Sequence, residues 1–179
     1  EVRQPILRNS DLEKIRYIGE ISDSHFSSKV LDTTYSSDKG SEGFETSIEA
    51  LCKKAAKSVL NGDNIIILSD RLFGPDRVAL PALLATAAVH HHLIRKGLRT
   101  SVGLVVESAE PREVHHFAVL AGYGAEAINP YLAFDTLSEM HEKDLFPKEV
   151  DSAQLVNRYI KSIDKGLLKV MSKMGISTY

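Results

Sequence analysis

Two short apolar runs, Ile65 to Leu68 and Val102 to Val106, limit most severely what this chain can fold into. A strand with one face in water alternates apolar and polar residues. A run with no polar positions has no face to give to solvent, so it must be covered on both sides. Strands of that kind belong to parallel sheets, whose crossover helices lie against the sheet faces. The first run ends abruptly in Ser69, Asp70 and Arg71, the second in Glu107 and Ser108.

Helical patterns separate the strands. Lys29 to Tyr35 has the β-branched content of a strand and precedes an amphipathic helix over 41–61, with Phe44, Ile48, Leu51, Ala55 and Val59 on one side. Pro81 opens a second helix that closes on basic residues and Gly97, and Pro111 opens a third that stops near Gly122. A fourth strand over 125–129 leads through Pro130 into a helix over 131–141. A further helix is expected over 152–163. The predicted class is α/β, with repeated strand–helix units on a parallel sheet and a C-terminal helical tail. A half-barrel or TIM-barrel-like closure and an open doubly wound sheet both fit this order.

Composition removes several functions. The 179 residues carry 22 basic and 24 acidic side chains, a formal net charge of -2 with no basic stripe, which argues against nucleic acid and membrane surfaces as partners. The longest apolar stretch, from Val78 to Val89, is about a dozen residues and is broken by Pro81 and Thr86, too short for a membrane span. The first residues lack the apolar core of a signal peptide, so a cytoplasmic location is expected. The single cysteine, Cys52, excludes an internal disulfide and a multi-cysteine metal site within the chain.

In parallel α/β folds, binding and catalysis gather at the carboxyl ends of the strands. Those ends hold Asp32, Asp70, Arg71, Glu107, Ser108 and Asn129. The same residues suit loops and helix caps, so each has an inert reading beside the chemical one. If Asp70 and Arg71 are structural, they should engage each other or the backbone of the long 69–79 connection. His90, His91 and His92 are consecutive on one helix, and His115 and His116 on another. Neighbouring helical residues point about 100° apart, so neither group converges on a metal as an i, i+4 pair would, and no metal site is assigned. Some of these imidazoles are expected to hydrogen-bond where the two helices meet. Cys52 reads as a small apolar helix residue, and the glycines of the 122–127 segment as a turn.

The segment from ILSDR through PALLATAAVHHHLIRKGLRT and SVGLVVESAEPREVHHFAVLAGYGAEAINPYLAFDTL resembles the central domain of the large subunit of glutamate synthase. KGLLKVMSKMGIST, residues 165–178, resembles the start of that enzyme's FMN-binding synthase domain. The resemblance implies a division at 12–141, central connecting domain, and 151–179, start of the synthase domain. It implies an excerpt of an enzyme that moves ammonia from glutamine onto 2-oxoglutarate reductively, with NADPH, NADH or ferredoxin as donor. FMN and a [3Fe-4S] cluster would belong to the full enzyme and neither to this piece, whose catalytic residues would be none. Its partners would be the glutaminase and FMN synthase domains of the same polypeptide. Met171, Ser172 and Lys173 fall where the first strand region of the FMN barrel is expected, near the flavin. The residues alone leave two other functions open: a free-standing barrel-type enzyme using Asp70, Glu107 and Asn129 on a small polar substrate, and a non-catalytic assembly module.

Overall fold

The parallel sheet holds both apolar runs at its centre. The computed structural model describes residues 4–23, 25–147 and 149–179. In chain order its elements are α1 (Asn9–Arg16), α2 (Ile18–Ile21), β1 (Ser28–Asp32), β2 (Thr34–Ser36), α3 (Gly40–Leu60), β3 (Ile65–Ser69), β4 (Arg77–Ala79), α4 (Ala82–Arg95), β5 (Gly103–Glu107), α5 (Val114–Gly122), β6 (Ala127–Asn129), α6 (Tyr131–Glu142) and α7 (Ser152–Met174). The main sheet runs β1-β3-β5-β6, all parallel, and β2 and β4 form a small antiparallel pair beside it.

Sheet order follows chain order, and this decides between the two architectures left open by the sequence. Successive crossovers put their helices on the same face, as in a barrel wall. Alternate residues of the strands face them: Leu31, Ile66, Leu68 and Leu104 pack with α3 and α4, while Val106 and Ile128 pack with α5, α6 and α7. The opposite, concave face carries Ile67, Val105 and Ala127. These are covered by Leu7 and by Leu12 and Ile15 of α1. The molecule is therefore a half-barrel whose interior is filled by its own first helix. Ile66, Ile67 and Leu104 are fully buried, and each such side chain contributes roughly 2 kcal/mol relative to exposure. Ala55 and Ala85 let α3 and α4 approach closely.

Three expectations are corrected. The strand expected over 29–35 divides at Thr33, because the Asp32 carboxylate accepts the backbone N–H and the hydroxyl of Thr34, at 2.8 and 2.7 Å, and turns the chain out of the sheet. The third helix starts at Val114, not Pro111. There Glu113 and His116 cap it reciprocally, the Glu113 side chain accepting from the His116 backbone and the His116 ring accepting from the Glu113 backbone. Met171, Ser172 and Lys173 are not in a strand but in the last turn of α7. That helix is continuous because Asp151 caps its start by accepting from Gln154 N–H at 2.7 Å, and Gly175 closes it at φ +71°. Its Ile160, Ile163 and Leu167 share a core with Phe117 and Leu120 of α5.

Candidate functional site

The polar strand ends come together, but they face inward. Asp70 is 2% exposed. It accepts the Ser108 hydroxyl at 2.6 Å, the Ala109 N–H at 3.1 Å and the Tyr131 hydroxyl at 2.7 Å. Glu107, also 2% exposed, accepts Arg71 Nε at 2.7 Å and Arg16 Nη2 at 2.9 Å. The Arg71 guanidinium lies over the Tyr131 ring, 4.1 Å from its centroid. Asn129 is fully buried and donates through Nδ2 to the Leu7 carbonyl at 3.0 Å and to Asn9 Oδ1 at 2.9 Å.

The electrostatics follow from this packing. Burial alone would push the Glu107 carboxyl up; hydrogen bonds from Ser69, Arg71 and Arg16 outweigh it and hold the group below the usual carboxylate range. Burial, and then the neighbouring Asp70, push the Tyr131 phenol up, so it remains a donor across the physiological range. Two arginines on one buried carboxylate make a charge-compensated knot. Asp32 is engaged in the same internal way: beyond Thr34 it pairs with Arg77 of β4, whose Nε also donates to the Thr34 hydroxyl at 2.7 Å.

Asp70 and Arg71 are thus engaged internally, but not with the partners expected. The donors to Asp70 come from the loop after β5 and the first residue of α6, and Arg71 pairs with Glu107, not Asp70. The 69–79 connection is shaped instead by β4, which pairs with β2, and by the reciprocal backbone bonds between Gly74 and Arg77. Arg16 and Tyr131 complete the cluster. Arg16 arrives from α1 on the concave face, 91 positions away from Glu107 and with no sequence signal, whereas Tyr131 could have been suspected from its place directly after Pro130 at a strand end.

The histidines separate. His90 Nδ1 accepts Arg99 Nε at 2.9 Å, and Arg99 goes on to bond the Val102 and Gly124 carbonyls and the Glu126 carboxylate. Burial first, then Arg99 and His91, lower the His90 imidazole's proton affinity. His116 caps its own helix, while His91 and His115 are exposed. None of the bonds described for His90 or His116 crosses between α4 and α5. Among the described residues, no three His, Cys, Asp or Glu side chains converge on a point. Cys52 is buried in the core between α3 and the sheet, and burial pushes its thiol up.

The residues present do not fit a flavin or an iron–sulfur cluster. One buried thiol cannot hold a cluster, and Ser172 and Lys173 are exposed on a helix end. A groove of about 520 Å³ lies at the opposite, amino-terminal end of the strands between His90, Arg99, Ser101 and Glu126.

All 179 residues match the family described as the glutamate synthase central domain. The chain belongs to that family. It is 37% identical to the NADH glutamate synthase of Saccharomyces cerevisiae over 99% of its length, and 43% identical to the NADPH glutamate synthase large chain of Bacillus subtilis over 97%. It is 39% identical to the ferredoxin-dependent glutamate synthase of Pyropia yezoensis over 99%. The chain spans only 8%, 11% and 12% of those three proteins. Among solved structures, a flavocytochrome b2 double mutant with pyruvate bound superposes on 96% of the chain with a TM-score of 0.56 at 12% identity, using 51% of its own length. That likeness concerns the fold alone and supports the half-barrel description. Among the described residues, no helix of the central-domain chain is long and apolar enough to cross a membrane.

Proposed function

We propose that this chain is a connecting scaffold within a glutamate synthase, a cytoplasmic enzyme that forms glutamate from glutamine and 2-oxoglutarate by reductive transfer of ammonia. The observation that carries the reading is the burial of Asp70 and Glu107 with internal donors on every side. A catalytic carboxylate must reach its substrate, and these are spent on holding the strand ends, α1 and α6 together. The same burial removes the ground for a free-standing enzyme built on Asp70, Glu107 and Asn129.

In this reading the glutaminase chemistry, the FMN and the [3Fe-4S] cluster reside in other parts of the polypeptide. Residues 12–141 form the body of the connecting piece. Residues 151–179 lead from it toward the flavin domain, with Met171, Ser172 and Lys173 at the end that approaches it. The packing of α7 on α5 supports a firm attachment of that exit to the body. The relatives' names include NADH, NADPH and ferredoxin, and nothing in the described cluster selects among donors.

The test is Asp70→Asn in the complete polypeptide, with glutamine hydrolysis and ammonia-dependent glutamate formation assayed separately. Both rates should stay within about 3-fold of the unaltered enzyme. General acid–base groups typically contribute about 100-fold or more, so a loss of that size in either reaction with folding intact would remove the scaffold reading.

A further inference from the structure

β1 is the outer strand of the main sheet, and among the described residues no strand pairs with its far side. The Ile65 N–H donates to the Ser27 carbonyl, and the Thr33 N–H donates to the Ser69 carbonyl. Between these, the register sets Lys29 beside Ile66 and Leu31 beside Leu68. In a parallel ladder alternate residues face a given neighbour. Residues 27, 29, 31 and 33 therefore bond β3, and the backbone groups of Ser28, Val30 and Asp32 point outward. No backbone hydrogen bond joins those three to a described residue outside the sheet.

The surroundings of this edge are unfinished in the same direction. A groove of about 180 Å³ lined by Arg16, Tyr17, Gly19, Glu20, Ser27 and Ser28 runs beside the start of β1. Around it Tyr17, Ile21 and Phe26 are 52%, 66% and 51% exposed. Val30 packs on the concave core with Ile15 but is only half-buried. An open edge with apolar flanks is a template for strand addition.

We infer that β1 is completed by a parallel strand contributed by another part of the same long polypeptide. Apolar residues at alternate positions of that strand would extend the concave layer beside Val30 and cover Tyr17 and Phe26. Two observations select this occupant. The chain is about a tenth of the relatives it matches, and its half-barrel fills 51% of a flavoenzyme chain of the same fold. A second copy is disfavoured by α1: two half-barrels closing on each other would bring two α1 helices into one interior. The inference rests on the reading of the chain as one part of a glutamate synthase polypeptide.

Hydrogen exchange at single-residue resolution in the complete polypeptide tests it, with Leu31 as the internally bonded reference. Val30 and Asp32 should exchange within about 10-fold of Leu31, and at least about 100-fold more slowly than in the isolated 179-residue chain. Open-edge exchange at both, with Leu31 protected, would overturn the inference. So would protection that vanishes when the polypeptide is diluted to monomers, or that appears in the isolated chain on self-association, since either gives the edge to a second copy. Open amides with both partial reactions intact in Asp70→Asn would remove this inference alone. Protected amides with a lost partial reaction would remove only the scaffold reading.

Discussion

Asp70→Ala tests the strand-end knot most sharply. The substitution deletes the acceptor of three hydrogen bonds, from the Ser108 hydroxyl, the Ala109 N–H and the Tyr131 hydroxyl. Each buried donor left without a partner costs about 1 to 3 kcal/mol. The Ser108 hydroxyl can rotate toward another acceptor, whereas the Ala109 amide is fixed and the Tyr131 ring is held under Arg71. Two stranded donors and a small cavity give a loss of about 3 kcal/mol. For a chain of this size that lowers Tm by roughly 6 to 12 °C. Thermal unfolding of the isolated chain, followed by circular dichroism at neutral pH, reads this directly. Tyr131→Phe, which removes one donor and leaves the carboxylate, should cost only about 1 kcal/mol. An Asp70→Ala variant that melts within about 2 °C of the parent would refute the reasoning, because no buried, bonded carboxylate can be lost so cheaply.

Glu107 sets a dependence on acid. Its folded-state proton affinity is lowered, so its stabilisation is present above the unfolded carboxylate value, about 4.3, and is lost as pH falls through the lower folded value. Urea midpoints should therefore drop steeply below about pH 4, and Glu107→Gln should be less stable at neutral pH with a shallower acid fall. Gly166→Ala should destabilise by about 1 to 2 kcal/mol despite the better helix propensity of alanine. A Cβ at that point of α7 would sit 2.2 Å from Val114 Cγ2, and urea unfolding checks the sign.

What could be read from the residues was what repeats locally. Ile65 to Leu68 and Val102 to Val106 announced doubly covered parallel strands because both periodicity and burial act on consecutive residues. The tail was misread because the resemblance, rather than the residues' own spacing, set a strand at 171–173, although Asp151 and Gly175 cap one unbroken helix that runs through Gly166. That glycine is there for close packing on Val114, a contact between residues about fifty positions apart. The start of α5 was hidden because its capping box has Glu113 before His116, the reverse of the usual polarity. The strand-end cluster was half legible. Fold rules placed Asp70, Glu107 and Asn129 on one rim, but its character depends on Arg16, which lies 91 positions from Glu107 and reaches it only because α1 fills the concave face. A sequence shows a row of carboxylates; only the fold shows that they are already taken.

The scaffold account stands or falls on coupling. In the complete polypeptide, Asp70→Ala should leave glutamine hydrolysis and ammonia-dependent glutamate formation each nearly intact, while glutamine consumed per 2-oxoglutarate converted rises, because a slackened connection lets ammonia escape between the two reactions. The decisive measurement is that ratio, taken at a temperature where the variant stays folded. An increase with both partial reactions retained is the predicted result. An unchanged ratio with a collapsed synthase reaction would contradict it, and would make Asp70 a catalytic carboxylate.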